Sequence, residues 1–383
     1  MSVTAAQGFR AAGVAAGLKS SGGLDVAVVV NDGPSYAAAG VFTSNRVKAA
    51  PVLWCQQILT YGQLHAVVLN SGGANACTGP DGFADTHRTA EHMAAELQVG
   101  AIDVAVASTG LIGLRLPMPD LLSGVSAAVE KLSTGGGATA ARAIMTTDSV
   151  PKQATLTRDG FTVGGMAKGA GMLAPGLATM LVVITTDAHA EAVTLDAALR
   201  TAAAVSFDRV DSDGAMSTND TVLLLASGAS GCTPEPAILT KAVTEVCHDL
   251  AQQLLADAEG STKDIAITVE QAATVEDALV VARAIAGNNL VKCAFFGADP
   301  NWGRILAAVG TTAAAFDPDH LDVVINDVEV CRAGGIGEDR ETCDLSGRAV
   351  DVRVRLHAGD HEATIWTNDL SLAYVHENSA YSS

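Results

Sequence analysis

The chain has 383 residues, 49% hydrophobic and 17% charged, with a formal net charge of −19. That composition buries a substantial core and excludes disorder. So acidic a chain repels phosphate backbones and anionic bilayers, which argues against nucleic acid and membrane surfaces as partners.

Aromatic residues make up only 4%, so the core must pack through small and branched aliphatic side chains. No stretch approaches the ~18 apolar residues of a membrane span, and the N-terminal MSVTAAQGFRAAGVAAGLKSSGG lacks a long apolar run. The expectation is a cytoplasmic protein. Seven cysteines (Cys55, Cys77, Cys232, Cys247, Cys293, Cys331, Cys343) are scattered without a C-x-x-C pair. They read as reduced, buried thiols, with no disulfide frame and no metal site.

In chain order, Leu24–Val30 is a β-rich run ended by Asn31-Asp32-Gly33, and Tyr36–Phe42 follows, so the two read as a hairpin. His65–Leu69 and Val104–Ala107 are short buried strands, with helical composition at Ala84–Leu97 between them. Met118–Leu132 sets Leu121, Leu122, Val125, Ala128, Val129 and Leu132 on one face, with Pro119 where a first-turn proline is tolerated. Ser133-Thr134-Gly135-Gly136-Gly137 separates it from a second helix, Ala138–Met145.

Met180–Ile184 and Thr221–Ala226 read as buried strands, and Ala237–Asp257 as a long helix striped by Leu239, Val243, Val246, Leu250 and Leu254. Ile265, Ile267 and Val269 alternate as a strand. Thr274 and Asp277 make a capping box for a helix to Ala286. Val350, Val352, Val354 and Leu356 alternate again, and Ala358-Gly359-Asp360 turns the chain into Thr364–Trp366. Strands and helices are mixed in both halves without a strict βαβ rhythm, which predicts an α/β or α+β fold of layered sheets.

Nucleotide motifs are missing: there is no G-x-x-x-x-G-K-[ST] and no strand-borne G-x-G-x-x-G, and in Lys168-Gly169-Ala170-Gly171 the lysine precedes the glycines. G-x-S-x-G is absent too, and Gly228-Ala229-Ser230-Gly231 is one residue too short.

Between a glycine-spaced turn and an apolar run stands Ala178-Thr179. Thr179 reads either as a β-branched residue opening a strand or as a residue that cuts its own chain. In the second reading its hydroxyl attacks the preceding carbonyl, and hydrolysis of the ester frees an N-terminal threonine. A free α-amine ordinarily titrates at roughly 7.7–8 and can act as general base for the hydroxyl of the same residue. Val106–Gly113 runs into a glycine turn able to aim a hydroxyl and an N–H at one point, as an oxyanion hole requires.

The islands GVFTSN (40–45), NSGGANACTG (70–79), STGLIG (108–113), IMTTD (144–148), GGMAKGAGMLAPGLATML (164–181), STNDT (217–221), DAEG (257–260), FGADPNWGR (296–304) and ENSAYSS (377–383) span the chain. Together they resemble the bacterial glutamate N-acetyltransferase / ornithine acetyltransferase (ArgJ) family of arginine biosynthesis. The resemblance implies an α/β fold, a layered αββα sandwich similar to N-terminal-nucleophile hydrolases but different in connectivity. It implies self-cleavage between Ala178 and Thr179 into an α chain (1–178) and a β chain (179–383), paired as an α2β2 heterotetramer.

It further implies ping-pong acetyl transfer from N2-acetyl-L-ornithine to L-glutamate through an acetyl-Thr179 intermediate. Thr109 and the Gly110 N–H would form the oxyanion hole. Thr146, Thr147, Lys168, Thr179, Glu259, Asn378 and Ser383 would contact substrate. Lys168 suits the substrate carboxylate and Glu259 an ammonium group. No metal or organic cofactor is implied. Some family members also accept acetyl-CoA, and the sequence leaves that donor open. Two alternatives stand beside this reading: an aminopeptidase or amidohydrolase of the same wider fold, and a small-molecule-binding protein with an inert Thr179.

Overall fold

The computed structural model describes residues 2–173 and 180–380. The first part of the chain gives β1 (Phe9–Val14), β2 (Val26–Asn31), β3 (Ala38–Phe42), α1 (Ala50–Ile58), β4 (Ala66–Asn70), α2 (Gly79–Leu97) and β5 (Val104–Ser108). Next come α3 (Met118–Glu130), α4 (Gly137–Ala143), β6 (Lys152–Arg158), β7 (Phe161–Lys168), β8 (Leu181–Thr186), α5 (Ala192–Val205), β9 (Thr221–Ala226) and α6 (Pro236–Ala256). The last part holds β10 (Asp264–Ala272), α7 (Val275–Ala286), α8 (Asn289–Phe296), α9 (Trp302–Val309), β11 (Asp322–Ile325) and β12 (Val328–Arg332). It ends with β13 (Gly335–Ile336), β14 (Ala349–Arg355), β15 (His361–Asn368) and α10 (Leu372–Ala380).

Two sheets form the body: a four-stranded one ordered β1-β2-β4-β5 and a five-stranded one ordered β3-β9-β8-β7-β6. Side chains alternate across a strand, and β8 shows what each face meets. Leu181 and Val183 join the core shared with the four-stranded sheet, whereas Val182 and Ile184 join the core under α5 and α6. Helices α2 and α3 pack on the first sheet and α5 and α6 on the second. The layers therefore run helix, sheet, sheet, helix, as expected. Covered on both faces, β8 and β9 are buried along their whole length and mostly apolar. In α6, Leu239, Val243, Val246, Leu250 and Leu254 are all buried, each contributing about 1.5–3 kcal/mol by removal from water.

The predicted hairpin does not form. β2 pairs with β1 and β4, while β3 pairs with β9 in the other sheet. The chain crosses between sheets at Asn31, whose side-chain amide donates to Ser35 O at 3.0 Å and Ala226 O at 3.2 Å. A local turn signal cannot distinguish a hairpin from such a crossing. The thiol expectation also needs correction: all seven cysteines are free, but Cys77 and Cys293 are exposed and Cys232 is half-buried.

The third sheet, ordered β13-β12-β11-β14-β10-β15, belongs to a C-terminal module with its own core under α7 and α9. Thr274 caps α7, accepting the Asp277 amide at 3.0 Å. β10 inserts between β14 and β15, pairing parallel with one and antiparallel with the other. The module is tied to the body where the Asp211 amide donates to Trp366 O at 2.8 Å. Among the described residues no single helix is long and apolar enough to cross a membrane.

Candidate active site

Thr109 follows the last residue of β5 and is fixed by its backbone. Its amide donates to Asn70 O and its carbonyl accepts the Gly73 amide, both at 3.0 Å. The Asn219 side-chain amide binds Ala74 O at 2.6 Å and Ser108 O at 2.8 Å. Three of the sequence islands thus interlock around one turn. Gly110 has φ +129°, and a Cβ there would lie 2.8 Å from Gly73 N, so only glycine fits.

Across from this turn, β7 ends in Lys168, which is 2% exposed. Its Nζ donates to Thr109 Oγ1 at 3.3 Å. Burial lowers its pKa; Asp148, Asp220 and Glu259 oppose that, and Lys152 adds to it.

Asp148 organises the floor. Its Oδ1 accepts Lys152 Nζ at 2.6 Å and the Gly169 amide at 2.7 Å, and its Oδ2 accepts the Thr146 amide at 2.9 Å. Burial pushes the carboxyl up, but Lys168, Lys152 and the Gly169 amide outweigh it and hold the pKa down to about 2. Lys152 also pairs with Asp257. Lys19 steadies the neighbouring turn, donating to Met145 O at 2.6 Å.

Glu259 lies beyond the end of α6, where its amide donates to Ala170 O at 2.9 Å. A Cβ on Gly171 would sit 2.7 Å from Glu259 Oε2, so the glycine turn after β7 makes room for that carboxylate.

These elements enclose a cavity of about 180 Å³ lined by Thr109, Gly110, Thr146, Thr147, Lys168, Glu259 and Asn378. Every predicted site residue among the described residues is therefore brought to one place. Ala178, Thr179 and Ser383 lie outside the described residues. The volume is below the ~300 Å³ at which drug-sized pockets begin and suits an amino-acid-sized ligand.

Sequence reasoning missed Asp213, Met172 and Tyr374, which also line the cavity. Asp213 Oδ2 accepts the Met172 amide at 2.7 Å, holding that residue at φ +54°. Burial raises the Tyr374 phenol to about 12, aided by Asp213 and Glu259. Nothing local marks Asp213 or Tyr374, since the body and the C-terminal helix meet only on folding. Asp148 stands inside the island IMTTD, where nothing local reveals the lysine it pairs with.

A buried lysine against a threonine hydroxyl, a glycine turn and the Glu259 carboxylate thus line one small cavity of a layered αββα protein. The ArgJ family sequence profile matches residues 10–383. An "Arginine biosynthesis bifunctional protein ArgJ" of Streptomyces coelicolor is 66% identical, covering 100% of both chains. One from Mycobacterium tuberculosis is 62% identical, covering 100% of this chain and 96% of the relative. A solved ornithine acetyltransferase of M. tuberculosis, complexed with ornithine, is 65% identical over 47% of this chain and 96% of that one, with a TM-score of 0.45. The chain belongs to the ArgJ family, the acetyltransferases of arginine biosynthesis.

Proposed function

We propose that the cavity is the acetyl-transfer site and that Thr179 is its nucleophile. N2-acetyl-L-ornithine binds with its carboxylate toward Lys168 and its side-chain ammonium toward Glu259. The Thr179 hydroxyl attacks the acetyl carbonyl while its own α-amine takes the proton. Thr109 Oγ1 and the Gly110 N–H stabilise the oxyanion, a donor of this kind being worth about 2.7–4 kcal/mol. Ornithine leaves, and L-glutamate takes the acetyl group from the threonine. Donor and acceptor share an α-carboxylate and an α-nitrogen, so one small cavity serves both.

The observation that carries this reading is the Lys168–Thr109 contact at 3.3 Å beside the Gly110 turn. The hydroxyl, the glycine amide and a cation lie together on one wall of a cavity of amino-acid size.

Self-cleavage into 1–178 and 179–383, assembly of two such pairs, and a cytoplasmic location complete the proposal. Thr146 and Thr147 both face the cavity and would flank the bound amino acid. Asn378 and Ser383 would close it from the C-terminal end. Purified protein should give two bands on a denaturing gel, with the C-terminal fragment opening on Thr-Met-Leu-Val. With acetylornithine and glutamate it should form acetylglutamate. Free acetate alone would instead indicate a hydrolase. Offering acetyl-CoA with glutamate tests the second donor.

A further inference from the structure

Asp220 stands at the entrance of β9, next to the strand that begins just after the proposed cleavage point. It is fully buried, at 0% exposure. Its Oδ1 accepts the Met180 amide at 3.0 Å. The Met180 carbonyl in turn accepts the Thr221 amide at 3.1 Å, so the residue after Thr179 is clamped from both sides. The other oxygen, Oδ2, has no hydrogen-bond partner among the described residues. The hydroxyls of Ser217 and Thr43 lie close, yet neither reaches hydrogen-bond geometry with Oδ2. Among the described residues, the cation coupled to the carboxyl is Lys168 on β7, itself engaged with Asp148 and Glu259 and repelled by Lys152.

An ionised carboxylate in that position would be costly, because a buried charge without a full set of partners carries a large desolvation penalty. Burial accordingly lifts the Asp220 pKa well above the ordinary carboxylate range, outweighing the Met180 amide, Ser217, Lys168 and Thr43. A buried carboxylic acid that holds its proton more tightly than an exposed one can serve as a donor.

We propose that Asp220 is a positioning acid for self-cleavage: Oδ1 fixes the amide immediately after Thr179, and the carboxyl supplies and then recovers the proton that the step moves. The inference rests on the reading of Thr179 as the nucleophile. The nitrogen of the Ala178–Thr179 bond is three covalent bonds upstream of the Met180 nitrogen, which keeps the two within roughly 4 Å. The Thr179 hydroxyl adds to the Ala178 carbonyl, and the carbon–nitrogen bond breaks. The nitrogen leaves as an amine, taking the Asp220 proton directly or through one water, and the hydroxyl proton returns to the carboxylate. Water then hydrolyses the Ala178 ester, leaving a carboxylate and a free N-terminal Thr179.

The test is cell-free synthesis of the full chain, with the loss of the intact band followed on denaturing gels between about pH 6 and pH 9. The wild-type rate should fall as pH rises and Asp220 loses its proton. Asp220→Asn keeps an oxygen for the Met180 amide but holds no acidic proton. It should cleave ~10²-fold more slowly, with a flat pH profile, while its circular dichroism matches that of the Thr179→Ala chain. Asp220→Glu should recover part of the rate.

Cleavage of Asp220→Asn at the wild-type rate overturns the proposal. So does slow cleavage that keeps the wild-type pH profile, which would mean a purely structural role. Should Asp220→Asn not fold, the wild-type profile decides, and a rate that does not fall with pH overturns the proposal. Thr179→Ala separates the two readings: if that chain also cuts itself, the nucleophile assignment fails first.

Discussion

Lys168 in the αββα body and Lys292 in the C-terminal module are both buried, but their donors are spent differently. Lys292 Nζ donates to Ser212 O at 2.7 Å, to Thr367 Oγ1 at 3.0 Å and to Asn368 O. Burial still lowers its pKa to about 8. Lys263 is satisfied the same way, with Leu345 O and Gly347 O each at 2.6 Å. Lys168 makes one long hydrogen bond among the described residues, lines a cavity, and is otherwise attracted by Asp148, Asp220 and Glu259. A buried lysine saturated by carbonyls ties chain segments together. One with donors left over beside a cavity is placed to receive an anion.

The sharpest way to break this contrast is Thr179→Ala. It should leave a single full-length chain without acetyl transfer, and two fragments on a gel would remove the threonine from its role. Lys152→Met comes next. It strands Asp148 and Asp257, so about 3–5 kcal/mol of stability should be lost, read from denaturant unfolding. A loss under about 1 kcal/mol would mean the trio is solvated.

Thr109→Ala should slow transfer ~10²–10³-fold while ornithine binding persists. Unchanged turnover would take it out of the oxyanion hole. The paired variants follow. Lys168→Met should lower kcat/KM about tenfold or more and cost less stability than Lys152→Met, because Asp148 keeps its hydrogen bonds to Lys152 and the Gly169 amide. Lys292→Met should cost about 1–3 kcal/mol of stability by orphaning buried acceptors and leave KM near its original value. The reverse pattern would erase the distinction between the two lysines.

The smallest effect is one of pH. The folded Asp148 pKa is depressed to about 2, below its unfolded value of about 3.9. Its contribution is therefore fully present above the unfolded value and lost as pH falls toward the folded one. Melting temperatures taken down this range should fall, and Asp148→Asn should flatten the curve.

Much of this was legible along the chain. The alternation of Ile265, Ile267 and Val269 and the stripe of α6 follow from local periodicity, and both appear where expected. The islands around Thr109, Lys168 and Glu259 pointed to one site, and those residues do line one cavity. Their grouping came from resemblance, since nothing in their spacing reveals that β5, β7 and the end of α6 converge. The hairpin expected at Asn31 shows the limit from the other side: a turn does follow β2, but β3 pairs with β9 in the other sheet.

The sequence by itself determined many of the elements, their apolar faces and the residue types available for chemistry, because propensity and periodicity act over a few neighbouring residues. Only tertiary structure decided which sheet each strand joined and which lysine, among the described residues, lines a cavity with a single hydrogen bond. It also decided that Asp220 is shut away from water against the start of β8. Those outcomes depend on burial and on the distances between groups remote in the chain, which no local pattern encodes.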